Sequence, residues 1–341
     1  MRGCVIHGAD DLRIEELPEP VPGPGEAVVS VRYGGVCGSD LHYWRHGGVG
    51  DFLLHEPMVL GHEIVGTVHS YGPGTDGPAV GTPVAVHPAT PCGRCAECLD
   101  GRAQVCRDTR YLGSAARTPH VQGGFASRVA APAGQLRALP DNLPLRRAAL
   151  AEPLSVALHA VRRAGSVQGK HVLVTGAGPI GCLVVAALRA AGASAVTVTD
   201  LLPRALEFAA AAGATTLVRA DDPADPGWPD EVDVAVEASG SAAGLDTCLR
   251  AVRRGGVVVQ LGMLPPGMSP FAGNLVVSRE IELRGALRFA TEFDEAIGFL
   301  ARESLFDGLV SAVVPVGRAV EAFALAGDRG RSCKVLLDFG V

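Results

Sequence analysis

Apolar residues fall along this chain in two rhythms. Up to about residue 155, short β-type runs such as AVVSVRYGGV, IVGTVHSYGPG and GTPVAVHP are divided by Gly and Pro. Short strands punctuated in this way predict a compact, barrel-like β domain. The rhythm then changes. AALAEPLSVALHAVRRAG reads as a helix with Pro153 near its start, HVLVTG as an apolar strand, PIGCLVVAALRAAG as a helix and AVTVTD as a second strand. A helix (PRALEFAAAAGA), two strands (TTLVR and VDVAVEA), a helix (AAGLDTCLRAVRR) and a strand (VVVQLG) follow. Near-continuous apolar strands alternating with helices predict a parallel sheet covered on both faces.

The fold class is therefore α/β. Residues 1–155 are expected to form one domain and 156–289 a dinucleotide-type domain. Residues 290–341, with EFDEAIGFLARE, RAVEAFALAG and KVLLDF, are expected to return and complete the first. No internal repeat or low-complexity linker separates the two, so they are expected to share a cleft.

The 341 residues carry a formal charge of −6 and no run of Lys or Arg, which argues against electrostatic capture of nucleic acid. The N-terminus lacks the charged-then-apolar pattern of a signal peptide. IGCLVVAAL is only about half the length of a membrane span. A cytoplasmic protein that engages neither membrane nor nucleic acid is expected, and its nine cysteines read as metal ligands or buried small hydrophobes before disulfides.

Four of those cysteines, Cys92, Cys95, Cys98 and Cys106, lie in PCGRCAECLDGRAQVC. That spacing lets one short lobe wrap four thiolates around a tetrahedral ion, and a closed four-cysteine shell is a structural zinc site. Cys4, Cys182, Cys248 and Cys333 lie in apolar or helical surroundings and read as structural.

Gly176, Gly178, Pro179, Ile180 and Gly181 belong to a glycine turn between a predicted strand and a predicted helix. Such a turn lets backbone approach a pyrophosphate, which the helix N-terminus then receives. Asp200, at the end of the next strand, is placed to accept hydrogen bonds from a ribose and favours NAD over NADP; Arg204, one helical turn on, softens that preference.

Cys37, His62, Glu63 and Glu152 are far apart in sequence but are all zinc-ligand types, and a catalytic zinc needs about three protein ligands and an open position. Singly, each residue has a bland reading as filler, structural or solvated; their weight comes from co-occurring with the cysteine lobe and the glycine turn. Asp40 is expected to fix the His62 tautomer. Ser39 and His42 offer a proton path from the zinc to solvent, against bland readings as a helix cap and a surface histidine. His120 reads as a turn histidine. A zinc-ribbon interaction module would need a basic face and no glycine turn, and a relative without catalytic zinc would not need the Cys37, His62, Glu63 and Glu152 set.

GHE-x2-G at Gly61–Gly66, the cysteine lobe, the glycine turn and EPLSVALHA stand in the order found in the zinc-containing medium-chain dehydrogenase family, which the chain resembles over essentially its whole length. CGSDLHYW and Glu152, where other alcohol dehydrogenases usually have Cys, resemble the polyol branch. The resemblance implies a GroES-like β-barrel catalytic domain, a Rossmann NAD(P)-binding domain and a homo-oligomer, tetramer or dimer. It also implies a catalytic zinc on Cys37, His62 and either Glu63 or Glu152, and adds Ser239 and Gly262 to the cofactor side. Tyr43, Glu152 and Arg288 match positions that face substrate. YLGSAARTPHVQGGF and LRGALRFATEF are similar to a sugar-acid member, with sorbitol, xylitol and L-threonine as alternative substrates. A buried substrate carboxylate needs a cationic partner; Arg288 is the first choice, with Arg45, His46 and Arg117 behind it.

Overall fold

Six strands rich in Val, Leu and Thr lie side by side in the order Thr216–Arg219, Ala195–Asp200, His171–Thr175, Val232–Glu237, Val252–Gln260 and Glu282–Gly285, with every neighbouring pair parallel. The structure is a computed structural model that describes residues 1–340. This is the doubly wound order, and it reverses direction at His171–Thr175, leaving a crevice at the carboxyl ends of the strands. Side chains alternate across the sheet, so Val172 and Val174 join one core and Leu173 the other. Helices Ala151–Ala164, Pro179–Ala190, Pro203–Ala211 and Ala242–Ala251 supply apolar partners to these cores.

The pattern misjudges two boundaries here. The helix read through AAGLDTCLRAVRR stops at Ala251; Val252 is already extended and starts the next strand, in which Gly255 takes a positive φ of 66°. The sixth strand, ELRG, is a mostly exposed edge with no apolar run to reveal it.

The other principal sheet runs Leu136–Ala138, Pro83–Val86, Glu63–Tyr71, Glu26–Gly35, Lys334–Asp338 and Val310–Pro315, with Arg128–Pro132 also paired to Glu26–Gly35. Its core includes Val29, Val31, Ile64, Phe125, Phe323 and Leu337. The last strand, Lys334–Asp338, runs antiparallel to Glu26–Gly35 and sets Leu336 opposite Gly35. Its parallel neighbour Val310–Pro315 was not read from the sequence, because exposed and buried residues mix along it. Among the described residues no helix is long and apolar enough to cross a membrane.

A buried carboxylate ties helix Ala151–Ala164 to helix Glu292–Arg302. Glu292 is fully buried and accepts hydrogen bonds from His159 Nδ1 (3.0 Å), Arg162 Nη1 (2.8 Å) and the Ala290 N–H (2.6 Å). Burial opposes its charge, but these donors outweigh burial and hold the carboxyl down at about 2. The anchor's contribution is thus complete above the ordinary carboxylate range and is lost as pH falls toward 2. Because Ala290 lies two residues after Arg288, the anchor also fixes the loop that carries that arginine. Glu292→Gln is expected to lower stability at pH 7 by about 1–3 kcal/mol, with the gap to the parent narrowing at pH 3; urea unfolding at both pH values checks this, and an unchanged gap would contradict it.

Candidate active site

Strand pairing places Glu63 opposite Gly35, two residues before Cys37. Cys37 then caps helix Gly38–His46 in an extended conformation, and its N–H donates to Asp40 Oδ2 at 2.9 Å. The cap role considered for Ser39 therefore falls to Cys37, whose N–H the helix's own Asp40 is positioned to accept. Asp40 Oδ1 accepts the Gly61 N–H at 3.2 Å, so one buried carboxylate pins both loops that carry His62 and Cys37. Asp40 is thus spent on backbone and acts on His62 through charge rather than by fixing its tautomer through a hydrogen bond. Gly61 has φ +94°, and a Cβ there would lie 2.1 Å from the Phe125 ring, so only glycine delivers His62 to this position.

The outcome is a cluster in which donor atoms of Cys37, His62 and Glu63 lie within 4.8 Å of one another. Burial pushes His62 down, yet Cys37, Asp40 and Glu152 outweigh it and lift the imidazole to about 10. A buried site that pulls a histidine this far toward its cation is short of positive charge. A cysteine sulfur, an imidazole and a carboxylate converging there fit a zinc ion. Glu152 lies in the first turn of helix Ala151–Ala164, outside that close group; its Oε1 accepts the Tyr111 hydroxyl at 2.6 Å. Burial raises its carboxyl above the usual range.

The four lobe cysteines also bring their sulfurs within 4.8 Å of one another. Cys106 Sγ accepts the N–H groups of Cys92 (3.3 Å) and Asp108 (3.4 Å). Backbone N–H groups of Arg94 and Cys95 draw Cys92 down to about 6, a thiolate ready for a metal.

At the crevice of the parallel sheet, Gly176 has φ +90°, and a Cβ on Gly181 would meet the Gly176 carbonyl at 1.9 Å. Helix Pro179–Ala190 starts directly on this turn, with Ile180 in its first turn. Asp200 Oδ2 accepts the Ala177 N–H at 2.7 Å, which joins the turn to the end of the neighbouring strand. Arg204 pairs with Glu207 and lies 4.6 Å over the Phe208 ring, so its side chain is engaged on its own helix. Ser239 and Gly262 follow the next two strands at the same end of the sheet.

Tyr43 is buried, and its hydroxyl accepts the Ala115 N–H at 2.9 Å. Arg288 takes a left-handed backbone at φ +51° and holds its guanidinium 4.6 Å over the Tyr111 ring. Ser39 and His42 are three residues apart on helix Gly38–His46, and burial, then His46, Arg329 and Arg45, lower the His42 pKa. His120 accepts the His55 N–H through Nε2 at 3.0 Å while Nδ1 meets the Arg117 carbonyl at 2.7 Å, a turn histidine with both nitrogens used. Arg117 is tied to Asp108 and the cysteine lobe. Arg45 and His46 end helix Gly38–His46 as exposed side chains.

Two residues at the centre were missed from sequence. Lys334 is buried, and its Nζ donates to both Glu63 oxygens at 2.7 Å and to the Val36 carbonyl at 3.2 Å. Its signal was a lone lysine inside the apolar strand KVLLDF, which demands a buried anion. Tyr111 links Glu152, Arg288 and His62, whose ring lies 5.5 Å away. No periodicity marks it. Lys334→Met is expected to strand the Glu63 charge and cost about 3–5 kcal/mol, with Glu63→Gln in the same chain recovering much of the loss. Urea unfolding of the metal-free proteins reads this, and a double variant no more stable than Lys334→Met would contradict the pairing.

Residues 23–141 match the alcohol dehydrogenase GroES-like domain and residues 179–302 the zinc-binding dehydrogenase family. The chain is 38% identical to L-idonate 5-dehydrogenase (NAD(P)(+)) of Escherichia coli strain K12, over 99% of this chain and 98% of that protein. It is 36% identical to sorbitol dehydrogenase of Bacillus subtilis strain 168, over 88% of this chain and 86% of that one. The crystal structure of the E. coli L-idonate 5-dehydrogenase matches with a TM-score of 0.91 at 37% identity, covering 99% of this chain and 98% of that one. The first domain match takes in the Cys37–His62–Glu63 cluster, the second the whole helix behind the glycine turn, and the full-length identity to the E. coli protein runs through both: the chain belongs to the zinc-containing medium-chain alcohol and polyol dehydrogenase family.

Proposed function

We propose that this enzyme oxidises the C5 hydroxyl of L-idonate to give 5-keto-D-gluconate, with NAD(P) as partner, and catalyses the reverse reduction. The observation that carries the substrate reading is Arg288. It stands over the ring of Tyr111, whose hydroxyl donates to Glu152, in a strained backbone held by the Glu292 anchor, and among the described residues no carboxylate pairs with it. A substrate carboxylate supplies the missing anion. The 38% identity to an L-idonate 5-dehydrogenase supports the same choice. In this reading residues 1–155, completed by 290–341, form the catalytic domain, and 156–289 the Rossmann domain.

Cys37, His62 and Glu63 are the residues that would hold the catalytic zinc, with Glu152 as the adjacent carboxylate; Cys92, Cys95, Cys98 and Cys106 would hold the structural one. When bound, the zinc supplies Lewis acidity at the alcohol oxygen and the dinucleotide accepts the hydride. Glu152, whose carboxyl burial raises above the usual range, is suited to exchange the hydroxyl proton. Ser39 and the exposed His42 lead that proton outward, and the depressed His42 pKa leaves its imidazole free to accept it. Arg288 and Tyr43 orient the sugar acid. The glycine turn and Asp200 hold the dinucleotide; the Asp200 carboxylate favours NAD over a 2′-phosphate, and Arg204, engaged with Glu207, does little to offset it.

Two further features fit this reading. All nine cysteines are unpaired, in keeping with a reducing cytoplasm. The edge strand Glu282–Gly285 is open on one side and carries the exposed Leu283, an edge suited to a second copy of this chain in a homo-oligomer.

The second reading is a neutral polyol such as sorbitol or xylitol, favoured by the 36% identity to a sorbitol dehydrogenase. Initial rates of NADH formation with L-idonate, D-gluconate, sorbitol and xylitol separate the two. L-idonate is expected to give the highest kcat/KM, and Arg288→Met to lower that value about 30-fold more than the value for sorbitol, a difference of about 2 kcal/mol. Equal losses on both substrates would remove the carboxylate role from Arg288.

A further inference from the structure

Strand Val232–Glu237 ends on a carboxyl group that the chemistry above does not use. Glu237 is fully buried, and among the described residues no lysine, arginine or histidine pairs with it. Its charge is met instead by neutral donors. Oε1 accepts the N–H groups of Ser239 (2.8 Å) and Gly240 (3.0 Å) and the Ser239 hydroxyl, with Thr175 Oγ1 at 3.5 Å. Oε2 accepts Gln260 Nε2 at 2.7 Å and a second, longer bond from the Gly240 N–H at 3.2 Å. The backbone carbonyl of Glu237 accepts the N–H groups of Leu261 (3.0 Å) and Gly262 (2.9 Å).

One residue therefore knots together the ends of three adjacent strands, His171–Thr175, Val232–Glu237 and Val252–Gln260. Gln260 tightens the knot by donating also to the Gly262 carbonyl at 2.7 Å. The loops touch so closely that a Cβ on Gly262 would lie 2.3 Å from the Gly240 nitrogen and 2.5 Å from Glu237 Oε2. A Cβ on Gly176, in the glycine turn, would lie 2.7 Å from the Ser239 backbone. The turn thus rests on the loop that Glu237 shapes.

In a doubly wound sheet the dinucleotide lies across these carboxyl ends, one half on each side of the first strand. Asp200 marks one side; the Ser239–Gly240 and Leu261–Gly262 loops form the other. We propose that Glu237 is the positioning residue for the nicotinamide half of the dinucleotide, holding those two loops as one surface against the glycine turn. This rests on the NAD(P) reading above.

The test is the Kd for NADH, read by fluorescence, alongside steady-state kinetics on the zinc-replete enzyme. Glu237→Gln keeps the shape but turns an acceptor into an amide that faces donors. Its Kd and its KM for NAD are expected to rise about tenfold, equivalent to about 1.4 kcal/mol. The kcat at saturating NAD is expected to stay within about twofold, and the KM for the sugar substrate and the zinc content to remain as in the parent. A folded Glu237→Gln protein with the parent's Kd would overturn the proposal, even if its melting temperature falls, because the residue would then be structural only. Should that variant fail to fold, Gln260→Met removes the bridge and leaves the buried charge its Ser239 and Gly240 donors. A Kd raised about threefold then supports the proposal, and an unchanged Kd overturns it. A parent protein that binds neither NADH nor NADPH would sink the dinucleotide reading and this proposal with it. Normal parent binding with unaffected variants sinks this proposal alone.

Discussion

A buried surplus of negative charge around His62 is the constraint on which the rest of the site depends. Asp40, Glu63 and Glu152 are buried with His62 in a place that water reaches poorly, and Cys37, Asp40 and Glu152 act on its imidazole. Carboxylates cannot stay ionised there without compensation. The protein supplies part of it from within: Lys334 on Glu63, two backbone N–H groups on Asp40 and the Tyr111 hydroxyl on Glu152. What is left is the Cys37, His62 and Glu63 donor set, whose atoms lie within 4.8 Å of one another and are of the type that would hold a divalent cation. That shortage explains why a lysine is tolerated at the start of a buried strand.

The donors reach that place only because distant parts of the chain are paired in register. Glu63 comes with the Glu26–Gly35 and Glu63–Tyr71 pairing, and Lys334 with the last strand laid against Glu26–Gly35. Glu152 comes with the helix that also packs on the parallel sheet's core. Helix Ala151–Ala164 therefore touches both chemistries. Its first turn presents Glu152, and its last two turns hold Glu292 through His159 and Arg162, which fixes the Arg288 loop. A parallel device operates in the other sheet, where Asp200 and Glu237 each spend a carboxylate on backbone N–H groups next to the glycine turn.

Features with a short-range signature were legible in the sequence. The cysteine lobe, the glycine turn and the apolar strands each carry spacing that the structure translates directly, and Cys37, His62, Glu63 and Glu152 stood out because their residue types matched one chemistry, although only the first three gather in one close group. Features that depend on long-range partners were not. ELRG forms a strand because an edge was open to it, not because of its composition. Tyr111 looks like any tyrosine until Arg288, more than a hundred residues later, folds over its ring. Asp40 was legible as an acid near Cys37, but its true partners are backbone groups, which carry no side-chain signal. Lys334 and Glu237 lay in plain view as charges in apolar strands, and reading such charges as demands for a buried partner would have found both.

The central claim is that the Cys37–His62–Glu63 cluster holds a zinc ion separate from the one on the cysteine lobe. Zinc content per chain, measured by mass spectrometry on purified parent and His62→Ala proteins, tests it most directly. The account predicts about two zinc ions in the parent and about one in the variant, with the fold retained. A variant that keeps the parent's zinc content would contradict it.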